Sequence, residues 1–202
     1  MLLDASVARS IAVLGWVDRA AQAVGGSLRL AHGVLGAYPD EPCELRQIRD
    51  GLQRQVDMSP PGSGRYSKAV AAVLGLDTLL GLGPPRVELV TPDAQATALT
   101  ARLISMNDVD RDWRRSLGMR ARRLDTGEAA SIGIAVTDGL DFASDDGQAL
   151  IAYDALTGRP EVRTRDVIKL LVSQGLIEEA VGRDRYRFLQ EDDLHLLGGP
   201  DW

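Results

Sequence analysis

The sequence predicts an α/β domain built on a mostly parallel central sheet. Three observations predict it. Short apolar runs alternate along the chain with segments whose apolar residues recur at helical spacing. Glycines and prolines punctuate the joints. The 202 residues, 45% hydrophobic and 26% charged, are enough for one sizeable core but not two full domains. The expected organisation is one domain over residues 1–180, with a loop-containing helical region at about 38–84, and a C-terminal tail over 181–202 that packs on the domain or on a partner.

Each element follows in order. "MLLDAS" reads as a short buried strand ending at Asp4. Residues 7–24 carry Val7, Ile11, Leu14, Val17, Ala21 and Val24 at helical spacing, stopped by Gly25 and Gly26. "SLRLA" is a second strand, and 33–56 is helical apart from a break at "YPDEP". The stretch 58–67, "MSPPGSGRYS", is a loop; it lacks the spacing of a phosphate-binding loop, because no glycine precedes Lys68. A helix over 68–82, a strand at "PRVELVTP" and a helix over 93–106 follow. Next come a helix over 126–138, a strand at 140–144 and a helix over 147–157. A short strand at "PEVRT" and a helix over 165–174 closed by Gly175 complete the domain.

Charge and cysteine usage narrow the function classes. A net charge of −6 argues against coating nucleic acid through bulk positive charge, but leaves room for a local basic groove or a metal site made of acids. Cys43 is the one cysteine, so no intrachain disulfide forms, and without a convincing histidine partner it is not a thiol nucleophile. His32 and His195 are isolated and read as structural or exposed. No secretory pattern opens the chain and no apolar run is long enough to span a bilayer, so a cytoplasmic protein is expected.

Carboxylates are the chemistry-bearing residues. In an open parallel sheet, ligands collect at the carboxyl ends of the strands. Asp4 and the Asp145-Asp146 pair sit there, and Glu128 lies in the first turn of the helix that leads into the strand before the pair. Three distant stretches therefore converge on one pocket. Clustered carboxylates repel one another and raise one another's pKa, and a divalent cation removes that cost. Oxygen ligands favour magnesium or manganese. Each acid also has a structural role open to it. Asp125 and Glu128 fit a capping box, Asp4 fits a helix cap with Ser6 as a rival, and Asp145-Asp146 fits a turn and cap.

"LLDAS", "LDTGEAASIGIA" and "DFASDDGQALIAYDALTG" followed by "VIKLLVSQGLI" resemble the PIN-domain nucleases, especially the VapC-like toxins. The match covers roughly the first 35 residues and about the last 55 of the domain. The resemblance implies a three-layer α/β/α PIN-like fold and a metal-dependent ribonuclease. Asp4, Glu128, Asp145 and Asp146 would hold Mg2+ or Mn2+, with Asp146 the closer match to the family's final acid. It also implies a small homodimer paired with an antitoxin. Two positions depart from the pattern. Ala37 stands where a further glutamate is usual, leaving Asp40, Glu41 or Glu44 to substitute if the helix is offset, with Asp40 taken as the substitute metal ligand, and Leu150 stands where a basic residue often follows the aspartates.

Before the glutamate motif lie Arg111, Arg114, Arg115, Arg120, Arg122 and Arg123, with Trp113 among them. Flanking the pocket, Arg114, Arg115, Arg122 and Arg123 would grip RNA phosphates while Trp113 stacks on a base. The same arginines have nearby partners in Asp108, Asp110 and Asp112, which would make the segment an ordinary solvated face. Two readings compete with the nuclease: a degenerate domain that binds RNA or protein without cleaving, and a phosphorylatable receiver-like domain. The receiver-like reading is disfavoured, because no aspartate and lysine sit at the ends of the remaining strands.

Overall fold

The computed structural model describes residues 1–36, 41–120 and 124–191. Expectations for Ala37, Asp40, Arg122, Arg123 and His195 fall outside them. The chain folds as a three-layer α/β/α structure around a four-stranded, all-parallel sheet of order β3-β2-β1-β4. The strands are β1 Leu2–Leu3, β2 Leu28–Ala31, β3 Val87–Val90 and β4 Phe142–Ala143. Leu2 and Leu3 are wholly buried, as central strands covered by helices on both faces require. The expected strand at "PEVRT" shrinks to one parallel bridge, Ala143 to Val162, with Ser144 N–H donating to the Val162 carbonyl at 3.0 Å.

The helix expected over 7–24 is two helices, α1 Ala5–Val13 and α2 Val17–Ala23. Gly15 adopts φ +67°, and the Trp16 N–H reaches back to the Ile11 carbonyl at 3.0 Å, the glycine-closed stop that satisfies orphan carbonyls. Apolar positions stay in phase across the break, so spacing alone runs through it. After β2 come α3 His32–Leu35, α4 Glu44–Met58 and α5 Gly64–Gly81. The loop between the last two is shorter than expected, because the Ser63 hydroxyl accepts from the Tyr66 N–H at 3.2 Å and starts α5 early. Then follow α6 Ala94–Ile104, α7 Asp108–Ser116, α8 Thr126–Thr137, α9 Gly147–Thr157, α10 Thr164–Ser173 and α11 Glu179–Glu191. Gly175, at φ +68°, closes α10 in the same way that Gly15 closes α1.

Two glycines set how closely the layers pack. A Cβ on Gly75 of α5 would collide with the Ala12 carbonyl of α1, and one on Gly133 of α8 with the Ala96 carbonyl of α6. The α4–α5 hairpin is thus seated on α1, and α8 on α6. In α11, Tyr186 and Leu189 are buried with the main core. Among the described residues, no helix is long and apolar enough to cross a membrane.

Candidate functional site

Strand order reverses between β1 and β4, and the crevice beyond their carboxyl ends is where an open parallel sheet leaves room for a ligand. Asp4 follows β1 as the N-cap residue of α1. One of its oxygens, Oδ2, accepts from the Ser144 hydroxyl at 2.9 Å and the Ser6 hydroxyl at 3.1 Å. The other, Oδ1, is buried with no hydrogen-bond partner.

Glu44, in the first turn of α4, is the acid that spacing from β2 did not single out above its neighbours Asp40 and Glu41. Its Oε2 is buried without a hydrogen-bond partner, against Gly127 at the start of α8, where a Cβ would collide with it. Glu41, by contrast, lies 3.1 Å from His32 Nε2. A further carboxylate of the cluster therefore comes from the first turn of α4.

Glu128 is 9% exposed. It completes a capping box with Asp125: its Oε2 accepts from the Asp125 N–H at 3.1 Å, and Asp125 Oδ1 accepts from the Glu128 N–H at 2.8 Å. It also faces Asp146 and Asp4 electrostatically, both of which disfavour its ionised form. Asp146 caps α9, with Oδ1 accepting from the Gln148 and Ala149 N–H groups at 2.7 and 3.0 Å. The Ser144 hydroxyl, which donates to Asp4, accepts from the Asp146 N–H at 3.0 Å and so ties the two acids together.

Asp145 is spent elsewhere. Its Oδ1 accepts from the Thr164 N–H at 3.0 Å and its Oδ2 from the Thr164 hydroxyl at 2.6 Å, fastening α10 to the end of β4. Of the two adjacent aspartates expected to ligate a metal, Asp145 is thus the one whose oxygens both accept from Thr164.

Burial is the largest influence on Asp4, Glu44 and Glu128, and repulsion from neighbouring carboxylates adds to it. Asp4 is pushed up to about 6 by burial, against the hydrogen bonds from Ser144 and Ser6. Glu44 is pushed up to about 8 by burial and by Asp4, Asp125 and Glu128. Glu128 is pushed up to about 8 by burial, then by Asp125 and Asp146. Asp4, Asp125 and Asp146 are the N-cap residues of α1, α8 and α9, and Glu44 lies in the first turn of α4, so the positive ends of four helices border this cluster. Among the described residues, no three His, Cys, Asp or Glu side chains already stand at the spacing of a metal cage. The donor set nevertheless fits a hard divalent cation: every polar group is an oxygen, and two buried carboxylate oxygens lack any partner.

The arginine segment is rearranged relative to expectation. Arg114 is 5% exposed, and its Nη1 donates to the carbonyls of Arg102, Leu103 and Ser105 at 3.2, 3.1 and 2.7 Å. It ties off the end of α6, which corrects its assignment as a phosphate contact. Trp113 carries the Arg102 guanidinium over its ring at 3.8 Å, so one face is taken and the expected stacking on a base is obstructed there. Arg115 is exposed and pairs with Asp112 at 3.1 Å, Arg111 with Asp108, and Arg102 with Asp110. Most of α7 is thus the solvated, self-paired face. Leu150, in the slot where the resemblance expects a base, is wholly buried in the core. No protein-family profile, no curated protein and no solved structure matches the chain.

Proposed function

We propose that the pocket formed by Asp4, Glu44, Glu128 and Asp146 holds Mg2+ or Mn2+ and hydrolyses phosphodiester bonds of RNA. One observation carries the reading: Asp4 Oδ1 and Glu44 Oε2 are buried without partners at the strand-order reversal, inside a cluster of acids that destabilise one another's charge. A fold retains such a cluster at a cost that bound cations remove. When bound, a divalent ion supplies activated water and offsets charge on the phosphate under attack. The chain's own part is to hold Asp4 through Ser6 and Ser144, to keep Asp146 in register through the same Ser144, and to exclude water beneath the cluster with β1 and β4. RNA as substrate, a cognate antitoxin and a homodimer rest on the resemblance to the PIN-domain toxins.

A second reading, a degenerate domain that binds RNA or protein without cleaving it, draws on the capping roles of Glu128 and Asp146, each of which commits one oxygen to a helix start. Total RNA incubated with the purified protein in manganese, and separately with chelator, separates the two. Cleavage should appear with manganese and vanish with chelator, with Asp4→Asn and with Glu44→Gln. Cleavage that survives chelation and loss of Asp146 would sink the metal mechanism. Manganese binding without cleavage would favour the degenerate reading.

A further inference from the structure

The chain from α7 to α8 is pinned at two buried residues, Met119 at 4% and Leu124 at 2% exposure. Gly118, at φ +83°, turns it onto α9, where an added Cβ would sit 3.6 Å from Ile151 Cγ2. The Arg120 N–H then donates to Gln148 Oε1 at 2.6 Å, and Gln148's own N–H donates to Asp146 Oδ1 at 2.7 Å. Five residues further on, Asp125 caps α8 and meets Glu128. Arg120 is therefore fixed at its backbone beside one pocket acid, on the stretch that leads to another. It is exposed, and among the described residues no ion pair or hydrogen bond engages its guanidinium. Arg111, Arg114 and Arg115 are all engaged.

We propose that Arg120 is a phosphate-binding residue of the site, gripping a phosphate of single-stranded RNA next to the one under attack. A chain of net charge −6 with carboxylates clustered in its pocket repels a polyanion, so a cation on the rim is needed to seat the strand. The buried Leu150 supplies none, and the backbone of Arg120 is tied to Gln148, two residues beyond the N-cap Asp146 of α9. The inference rests on the nuclease reading for its substrate.

The test measures binding of a short labelled single-stranded RNA in chelator across a salt series, and cleavage kinetics in manganese. Arg120→Ala should reduce the slope of log affinity against log salt by about 0.7, one phosphate contact on a single strand. It should raise KM about tenfold with kcat nearly unchanged, the pattern of lost uniform binding through one charged hydrogen bond. Arg120→Lys should keep the slope, and Arg86→Ala, whose guanidinium pairs with Asp18 at 2.8 Å, should change neither quantity. An unchanged slope and KM in Arg120→Ala, or an equal change in Arg86→Ala, overturns the proposal. A wild type that binds RNA with an Arg120-dependent slope but never cleaves keeps this contact and removes the nuclease. One that cleaves with Arg120→Ala indistinguishable from wild type does the reverse, and one that neither binds RNA in chelator nor cleaves it in manganese removes both.

Discussion

Gly127 carries no side chain, and the carboxylate of Glu44 occupies the space that one would fill. Because the obstructed atom is the free end of a flexible side chain, Gly127→Ala should displace Glu44 rather than distort α8. Its thermal midpoint should stay near that of wild type while manganese affinity, measured by calorimetry, falls to the level of Glu44→Gln; retained affinity would show that Glu44 is not a ligand. Asp4, Glu128 and Asp146 were legible in the sequence because each stands where an apolar run meets a helix start. Glu44 was legible only as one of three substitutes, with Asp40 preferred to it, since spacing from β2 cannot register the turn at Gly36, whose φ is +77°. Nor can a pair of adjacent aspartates be told apart locally. Thr164, nineteen residues beyond Asp145, takes both of its oxygens and leaves Asp146 to the pocket.

Among the elements, α7 shows how far residue type can mislead about role. Its arginines looked like a grip for phosphate, yet the end of α6 presents three carbonyls that lack intrahelical donors, and Arg114 answers them. Arg114→Ala should therefore destabilise the fold by about 2–3 kcal/mol, the loss of charged hydrogen bonds to buried acceptors, and leave the salt slope of RNA binding unchanged. Thermal unfolding and the salt series check the two halves separately; a stable protein with a flattened slope would return Arg114 to the binding surface. Strand and helix alternation was readable almost throughout, because each element has a buried face of the right period. Boundaries were less so where a backbone device decides them: the Gly15 stop that splits α1 from α2 leaves the apolar phase intact, and the Ser63 cap draws α5 into what reads as loop.

For the molecule as a whole, the cluster makes stability depend on pH in a set direction. In the unfolded chain these carboxylates titrate near about 4, whereas in the fold Asp4 is held up to about 6 and Glu44 and Glu128 to about 8. The folded state binds more protons in that window, so the cluster's contribution is present below about pH 4 and is lost as pH rises through about 8. The difference in thermal midpoint between wild type and Glu44→Gln isolates it: wild type should lose ground to the variant as pH climbs, and manganese should restore it most at the alkaline end. A difference that does not move with pH would mean that Glu44 stays ionised in the fold. The four acids also do not belong to one stretch of architecture. Asp4, Glu128 and Asp146 stand at the starts of helices packed directly on the sheet, while Glu44 rides on the α4–α5 hairpin, which reaches the sheet through the close approach of Gly75 to Ala12. Any local opening of that hairpin would carry Glu44 away from the other three acids. An ion bound there would tie the hairpin to the helices on the sheet, and slowed amide exchange along α4 would report its arrival without any substrate present.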